Sequence, residues 1–303
     1  MSNTSKIFVR GLWGYEDRKE YVYKRRKKIS NDILLVQHNP FEQPFVTYVF
    51  GEDNYKFLID EGFDCRLVDK NPMIWGHDRL KEHQYGHKLK IFQAATEEFN
   101  EIVFLDWDCM LAKPIHKNFW DIMGKKQEVQ AILRGYKSCV CMWRKTDRRK
   151  RACASFVYVR GEEVGKNMFD MWYSGFDKYK SVKSRRLSEE QIISLYTDKI
   201  FGGWQGVRTY WKNFEPNFFL LGKHEVPFQP YPNTWLLKKK RCFVHINRQN
   251  SGSAIKMLRQ SNLTDVEKKE KIIEFLDLQL QKTVIQDAKK SIVMEQKIKK
   301  GQI

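Results

Sequence analysis

Apolar positions fall in short runs separated by longer polar stretches through the first third of the chain. Lys6–Leu12, Lys-Ile-Phe-Val-Arg-Gly-Leu, reads as a first strand that ends in a turn carrying Gly11 and Gly14. A basic stretch with Lys24, Arg25, Arg26, Lys27 and Lys28 reads as helical. Asp32–Val36 and Phe45–Phe50 read as two further strands, because both are dense in β-forming side chains. Asn54–Glu61 reads as a helix stopped by Gly62, and Cys65–Asp69 as the next strand. This alternation predicts an α/β domain around a mainly parallel sheet.

The segment from Glu82 to Met110 carries the clearest pattern. Lys88, Phe92, Ala95 and Phe99 recur at steps of four, three and four, which places them on one face of a helix. Asn100-Glu101 then turns the chain into Ile102-Val103-Phe104-Leu105, an unbroken apolar run suited to a strand covered on both faces. The run stops at Asp106-Trp107-Asp108. Two carboxylates are thereby expected at the carboxyl end of a parallel strand, the edge at which open α/β sheets bind ligands. In a right-handed β-α-β unit the helix starts at that same edge, so Lys88, read as lying at the helix start, is expected to point toward the aspartates. It would then contact ligand oxygens or simply extend its ammonium from the helix end.

Further along, Phe119–Met123 reads as a short helix and Arg144–Arg151, with six basic residues and one acid, as an exposed loop. Ala154–Arg160 reads as a strand, with a helix around Lys166–Tyr173 and another opening at Leu187–Gln191 with Ser188 as its N-cap. Residues 201–235, rich in glycine, proline and aromatics, read as loops around a site, and Cys242–His245 as a last strand. From about Thr264 the pattern is a Lys/Glu-rich amphipathic helical tail. The expected organisation is one domain over residues 1–262 and the tail over 263–303, with no internal repeat.

Composition narrows the class. With 42% hydrophobic and 14% aromatic residues in 303, the chain buries a full core and is not a disordered protein. Its 55 basic and 37 acidic residues leave a net charge of +18, which points to an anionic partner: nucleic acid, a phosphate-bearing substrate or an acidic membrane face. No apolar run approaches the roughly 20 residues that cross a bilayer, and Met1–Lys6 lacks the apolar stretch of a signal peptide, so a cytoplasmic location is expected. The six cysteines include no Cys-x-x-Cys pair and read as reduced core thiols.

Two aspartates one residue apart form a compact, hard, oxygen-rich site of the kind that suits Mg²⁺ or Mn²⁺ with positions left open for phosphate oxygens. At these residues the sequence resembles the GT-A family of nucleotide-sugar-dependent glycosyltransferases, in which a helix leads into a buried strand ending in Asp-x-Asp, as Lys88–Asp108 does here. Ala154–Arg160 is similar to the family's second central strand, Ser188-Glu189-Glu190-Gln191 to the acidic element that follows, and Phe243–Asn247 to the late strand whose histidine completes the metal site. The resemblance runs in order over about residues 6–256. It implies a GT-A, Rossmann-like fold: a mainly parallel sheet flanked by helices, here with a C-terminal helical tail.

Carried over residue by residue, the resemblance implies that Asp108 binds Mn²⁺ or Mg²⁺ directly, that Asp106 contacts the metal or the donor ribose, and that His245 supplies a nitrogen ligand or is a structural strand-end histidine. The donor would be a nucleotide sugar, with a UDP-sugar the first choice. Val9, Arg10 and Gly11 would meet the nucleobase, Trp13 or Tyr15 would stack on it, and Trp107 and Lys88 would belong to the donor site. Relatives carry a Gly-x-x-Lys clasp after the histidine, whereas this chain has Asn247-Arg248-Gln249-Asn250-Ser251-Gly252, so Arg248 or Lys256 is assigned to the diphosphate. Glu190, and after it Glu189, is the candidate carboxylate for the acceptor reaction, or else first-turn helix charge.

The acceptor is inferred from charge alone. Basic clusters at Lys24–Lys28, Arg144–Arg151, Lys183–Arg186 and Lys238–Arg241 are interleaved with Trp143, Tyr179, Trp204, Tyr210, Trp211 and Trp235. Cations for phosphates and rings for bases make up the composition of a nucleic-acid groove, although the same rings also stack on sugars. Arg144, Arg148, Arg149, Arg151 and Trp204 are thus assigned to a DNA acceptor, hydroxymethylated DNA of the bacteriophage-modified kind, in a host cytoplasm if the chain is phage-encoded. The rival acceptor is a lipopolysaccharide or surface glycan at a membrane face. A haloacid-dehalogenase-like phosphatase also places Asp-x-Asp after an apolar strand, but on its first strand and followed by Thr or Val rather than Cys109-Met110. A non-catalytic nucleic-acid-binding module is the remaining alternative.

Overall fold

The computed structural model describes residues 5–13, 29–69, 80–115, 117–121, 123–124, 127, 140–145, 150–179, 243–246, 248–260, 262–279 and 281. Among these, six strands form one sheet in the order β3-β2-β1-β4-β7-β6. They are β1 (Lys6–Leu12), β2 (Phe45–Phe50), β3 (Cys65–Asp69), β4 (Glu101–Leu105), β6 (Val140–Lys145) and β7 (Lys150–Arg160). β1 runs parallel to both β2 and β4, and β2 parallel to β3, while β7 runs antiparallel to β4 and to β6. The architecture is α/β, with a central sheet that is mainly parallel and flanked by helices.

Burial explains the parallel half. All five residues of β4 are buried, as are the last five of β2 and of β1, so these strands are covered on both faces. Between them run α2 (Glu52–Asp60) and α3 (Leu80–Glu98). Gly62, at φ 82°, takes the left-handed conformation that ends α2, as its position after Glu61 predicts. Helix α3 lies against α5 (Glu162–Tyr179), and Gly165 makes that crossing possible: a Cβ there would run into the Thr96 hydroxyl and sit 2.7 Å from the Phe92 carbonyl oxygen.

Several expectations are corrected. Residues 29–37, within which Asp32–Val36 reads as a strand, are helix (α1). Ile29, Ile33 and Val36 follow one another at helical spacing and are all buried, so the face they make against the core overrides their local β preference. Within the Arg144–Arg151 segment, read as a loop, Arg144 and Lys145 end β6 and Lys150 and Arg151 begin β7, while residues 146–149 lie outside the described residues. The strand read at Ala154–Arg160 is longer, from Lys150, and antiparallel to β4. Helix α3 starts at Leu80, so Lys88 lies in its middle rather than at its start.

A second, two-stranded sheet pairs β5 (Cys109–Leu111) antiparallel with β8 (Phe243–His245). Beyond a short helix α4 opening at residue 119, the remaining described helices are α6 (Arg248–Leu258) and α7 (residues 265–279). Thr264 caps α7: its backbone N–H donates to Glu267 Oε2 at 2.7 Å, and the Glu267 N–H returns to Thr264 Oγ1 at 3.3 Å. This first part of the segment read as a tail buries Ile272 and Leu276 in the same cluster as Leu12, Trp107, Met110 and Ile255.

Candidate active site

The strand order fixes where a ligand fits. From β1 the chain builds outward through β2 to β3, then returns across β1 to form β4 on its other side. The sheet's topological switch therefore lies between β1 and β4, and the crevice outside their carboxyl ends is where open α/β sheets bind ligands. β1 ends at Leu12, followed by Trp13, and β4 ends at Leu105, followed by Asp106-Trp107-Asp108.

That turn is anchored through its middle residue. Trp107 is buried, its indole Nε1–H donates to the Gly11 carbonyl at 3.0 Å, and its ring meets Phe45 and Phe63 edge-on at 6.0 and 5.5 Å. The Asp106 N–H donates to the Ser155 carbonyl at 3.0 Å, extending the β4–β7 ladder by one step. With tryptophan packed inward, both flanking aspartates stay partly exposed, Asp106 at 28% of its side chain. Trp107, read as a donor-site residue, anchors the turn through its buried ring and indole N–H.

Lys88 does reach the aspartates, from mid-helix. Its Nζ lies 2.8 Å from Asp106 Oδ1 and 3.1 Å from the Ala154 carbonyl, and its side chain is 5% exposed. It braces Asp106 against β7. Close by, the Trp13 ring stacks on His87 at 5.9 Å and 5°, and Phe50 meets His87 edge-on at 4.5 Å. These three rings line the carboxyl ends of β1 and β2. His87 and Phe50 escaped the sequence reading; the adjacency of His87 to Lys88 on α3 was the available signal.

The second sheet brings β8 beside the turn. His245 is the register partner of Cys109, and the Ile246 N–H donates to the Asp108 carbonyl at 2.7 Å. The chain at His245 therefore runs next to Asp108, as a shared site requires. Among the described residues, no group of three or more His, Cys, Asp or Glu side chains is placed to hold a metal. The backbone alone is described for His245, Arg248, Arg144 and Arg151.

The three residues assigned to a nucleobase, Val9, Arg10 and Gly11, are all buried. Val9 and Arg10 are both fully buried, so neither side chain opens to a base. Arg10 instead donates to Glu42 Oε1 at 2.8 Å and to the Cys109 carbonyl at 3.2 Å. Gly11 has no room beside it, since a Cβ would strike Ile91 and lie 2.9 Å from the Trp13 ring. It serves close packing and accepts the Trp107 hydrogen bond. Arg248 opens α6 directly after β8, and Lys256 is exposed in its last turn, about 12 Å further along the axis. Tyr15, Arg148, Arg149, Glu189, Glu190 and Trp204 lie outside the described residues.

No family model and no curated protein matches the sequence. Among solved structures, the crystal structure of mouse xyloside xylosyltransferase 1 in its apo form aligns over 81% of this chain and 99% of that chain, at 9% identity and a TM-score of 0.37. Among the described residues, no helix is long and apolar enough to cross a membrane.

Proposed function

We propose that the chain is a metal-dependent glycosyltransferase of the GT-A type, moving a sugar from a nucleotide sugar, first choice a UDP-sugar, to an acceptor hydroxyl. The observation that carries the reading is the pair Asp106 and Asp108 on an anchored turn at the carboxyl end of β4, at the switch point, with the chain at His245 alongside. Carboxylate oxygens with one imidazole nitrogen suit Mn²⁺ or Mg²⁺. Such an ion supplies Lewis-acid stabilisation to a departing nucleoside diphosphate. In this reading Asp108 and His245 hold the ion, and Asp106, its Oδ1 taken by Lys88, turns its other oxygen to the ion or the ribose. Trp13, half-buried at the end of β1, offers its ring to the base, and Arg248, at the start of α6, is assigned to the diphosphate. Glu190 and Glu189 remain the candidate acceptor carboxylates.

The proposed acceptor is hydroxymethylated DNA. The net charge of +18 supports a polyanion, and so does the β6–β7 hairpin, whose register sets Arg144 opposite Arg151 and Lys145 opposite Lys150. Like charges directly opposite one another destabilise a hairpin, and phosphates laid across them would relieve the repulsion. A target base inside a duplex has to be extruded to reach the aspartates.

The test is product mass. Hydroxymethylated DNA incubated with nucleotide sugars and Mn²⁺ gains one sugar per modified base, and chelator abolishes the gain. Binding to that DNA weakens with salt at a log–log slope of about −0.9 per phosphate neutralised, and replacing Arg148, Arg149 and Arg151 flattens the slope. Transfer to a lipopolysaccharide or surface glycan, with none to DNA, retires the DNA acceptor and keeps the donor half. Full turnover in excess chelator retires the metal.

A further inference from the structure

The outer edge of β5 is closed by side chains instead of a strand. In an antiparallel ladder, successive carbonyls point alternately toward and away from the partner. The Asp108 carbonyl faces β8, since it accepts from the Ile246 N–H at 2.7 Å, so those of Cys109 and Leu111 face away. Both are taken: Arg10 Nη2 donates to the Cys109 carbonyl at 3.2 Å, and Asn39 Nδ2 to the Leu111 carbonyl at 2.8 Å. Glu42 ties the two donors together, accepting from Arg10 at 2.8 Å through Oε1 and from Asn39 at 3.1 Å through Oε2.

This arrangement is expensive for a core. Arg10 is fully buried at mid-strand, and its Nε and Nη1 have no hydrogen-bond partner among the described residues. The guanidinium lies 4.4 Å over the Phe45 ring and 5.4 Å from the Trp107 ring. An apolar side chain would fill that place without desolvating a charge. What only the present set achieves is a fixed link from β1 of the main sheet to the residue immediately after Asp108.

We infer that Arg10, Glu42 and Asn39 are positioning residues, which hold the Asp108 turn from behind and so set the affinity of its carboxylates for a divalent cation. The inference rests on the metal reading above. Groups that orient ligands from behind tune metal affinity by about 10- to 100-fold.

The test separates positioning from mere stability. Arg10→Met combined with Glu42→Leu removes the pair without stranding a charge, and leaving the Cys109 carbonyl without its donor costs some stability, so the variant stays folded with a lower urea midpoint. Its Mn²⁺ affinity, read from the signal of free Mn²⁺ by electron paramagnetic resonance, falls at least about tenfold. Arg10→Lys, which keeps the charge but not the fork, recovers part of the loss. If the double variant does not fold, Asn39→Leu carries the same expectation at smaller size. A folded double variant with wild-type affinity, beside a wild-type chain whose Mn²⁺ binding Asp108→Asn removes, overturns the positioning role alone. A wild-type chain that binds no Mn²⁺ overturns the metal reading and this inference with it.

Discussion

At the amino edge of the central sheet, Glu98 and Glu101 are each held by two donors; at the carboxyl edge, Asp106 and Asp108 stay partly exposed. Glu101 receives the Tyr158 hydroxyl at 2.8 Å and lies 3.5 Å from Lys6 Nζ, with 8% of its side chain exposed. Glu98 accepts from Arg66 Nη2 at 2.9 Å and from the Tyr48 hydroxyl at 2.8 Å, and Arg66 also pairs with Asp64. At the opposite edge a single lysine braces Asp106, while the turn is secured through the intervening tryptophan. One edge uses acids to close the sheet. The other fixes the turn backbone through Trp107 and keeps Asp106 and Asp108 partly exposed.

The sharpest way to break this contrast is Asp108→Asn. In the metal reading it removes a ligand charge while keeping the size and hydrogen-bonding capacity of the side chain, so donor turnover falls by at least about a thousandfold with little change in the urea midpoint. A large loss of stability would instead place Asp108 with the closing acids. Glu101→Ala should do the reverse: about 1–3 kcal/mol of stability lost with its contacts to Tyr158 and Lys6, with kcat and KM unchanged.

A smaller effect sharpens the comparison by pH. Burial, aided by the Asp64 carboxylate and opposed by Arg66, pushes the Cys65 thiol at the start of β3 from about 9 up to about 11. In that window the unfolded chain has lost the thiol proton and the folded chain still holds it, so stability falls as pH rises from about 9 toward 11. Burial, then its bond to Glu98, also raises the Tyr48 phenol, which adds to the fall only above its ordinary value of about 10. Cys65→Ala flattens the lower part of that slope in denaturant titrations.

Much of this was legible in sequence where burial is continuous. Ile102–Leu105 reads as a strand covered on both faces because no polar residue interrupts it, and the stop at Asp106 marks the sheet edge. Strand direction was not legible: β7 satisfies the same apolar pattern whether parallel or antiparallel, and only its register with β4 decides. Charge misled at Arg144–Arg151, where a run of cations hides two strand ends. In the site, the aspartates and Lys88 stand out by type and spacing. Arg10 does not, since an arginine buried in a strand signals itself only through partners brought from residues 42 and 109.

The pairing of β5 with β8 also sets an order of events during synthesis. β1 through β5 leave the ribosome early, and they carry both aspartates, Lys88 and the tryptophan anchor. β8 follows only after β6, β7, α5 and residues 180–242 have been made. Contacts this distant along the chain close late, after the local ones have formed. A nascent chain halted before Phe243 would therefore present its acids without the strand that flanks Asp108. In the glycosyltransferase reading, its capacity for turnover should appear only once β8 has been made.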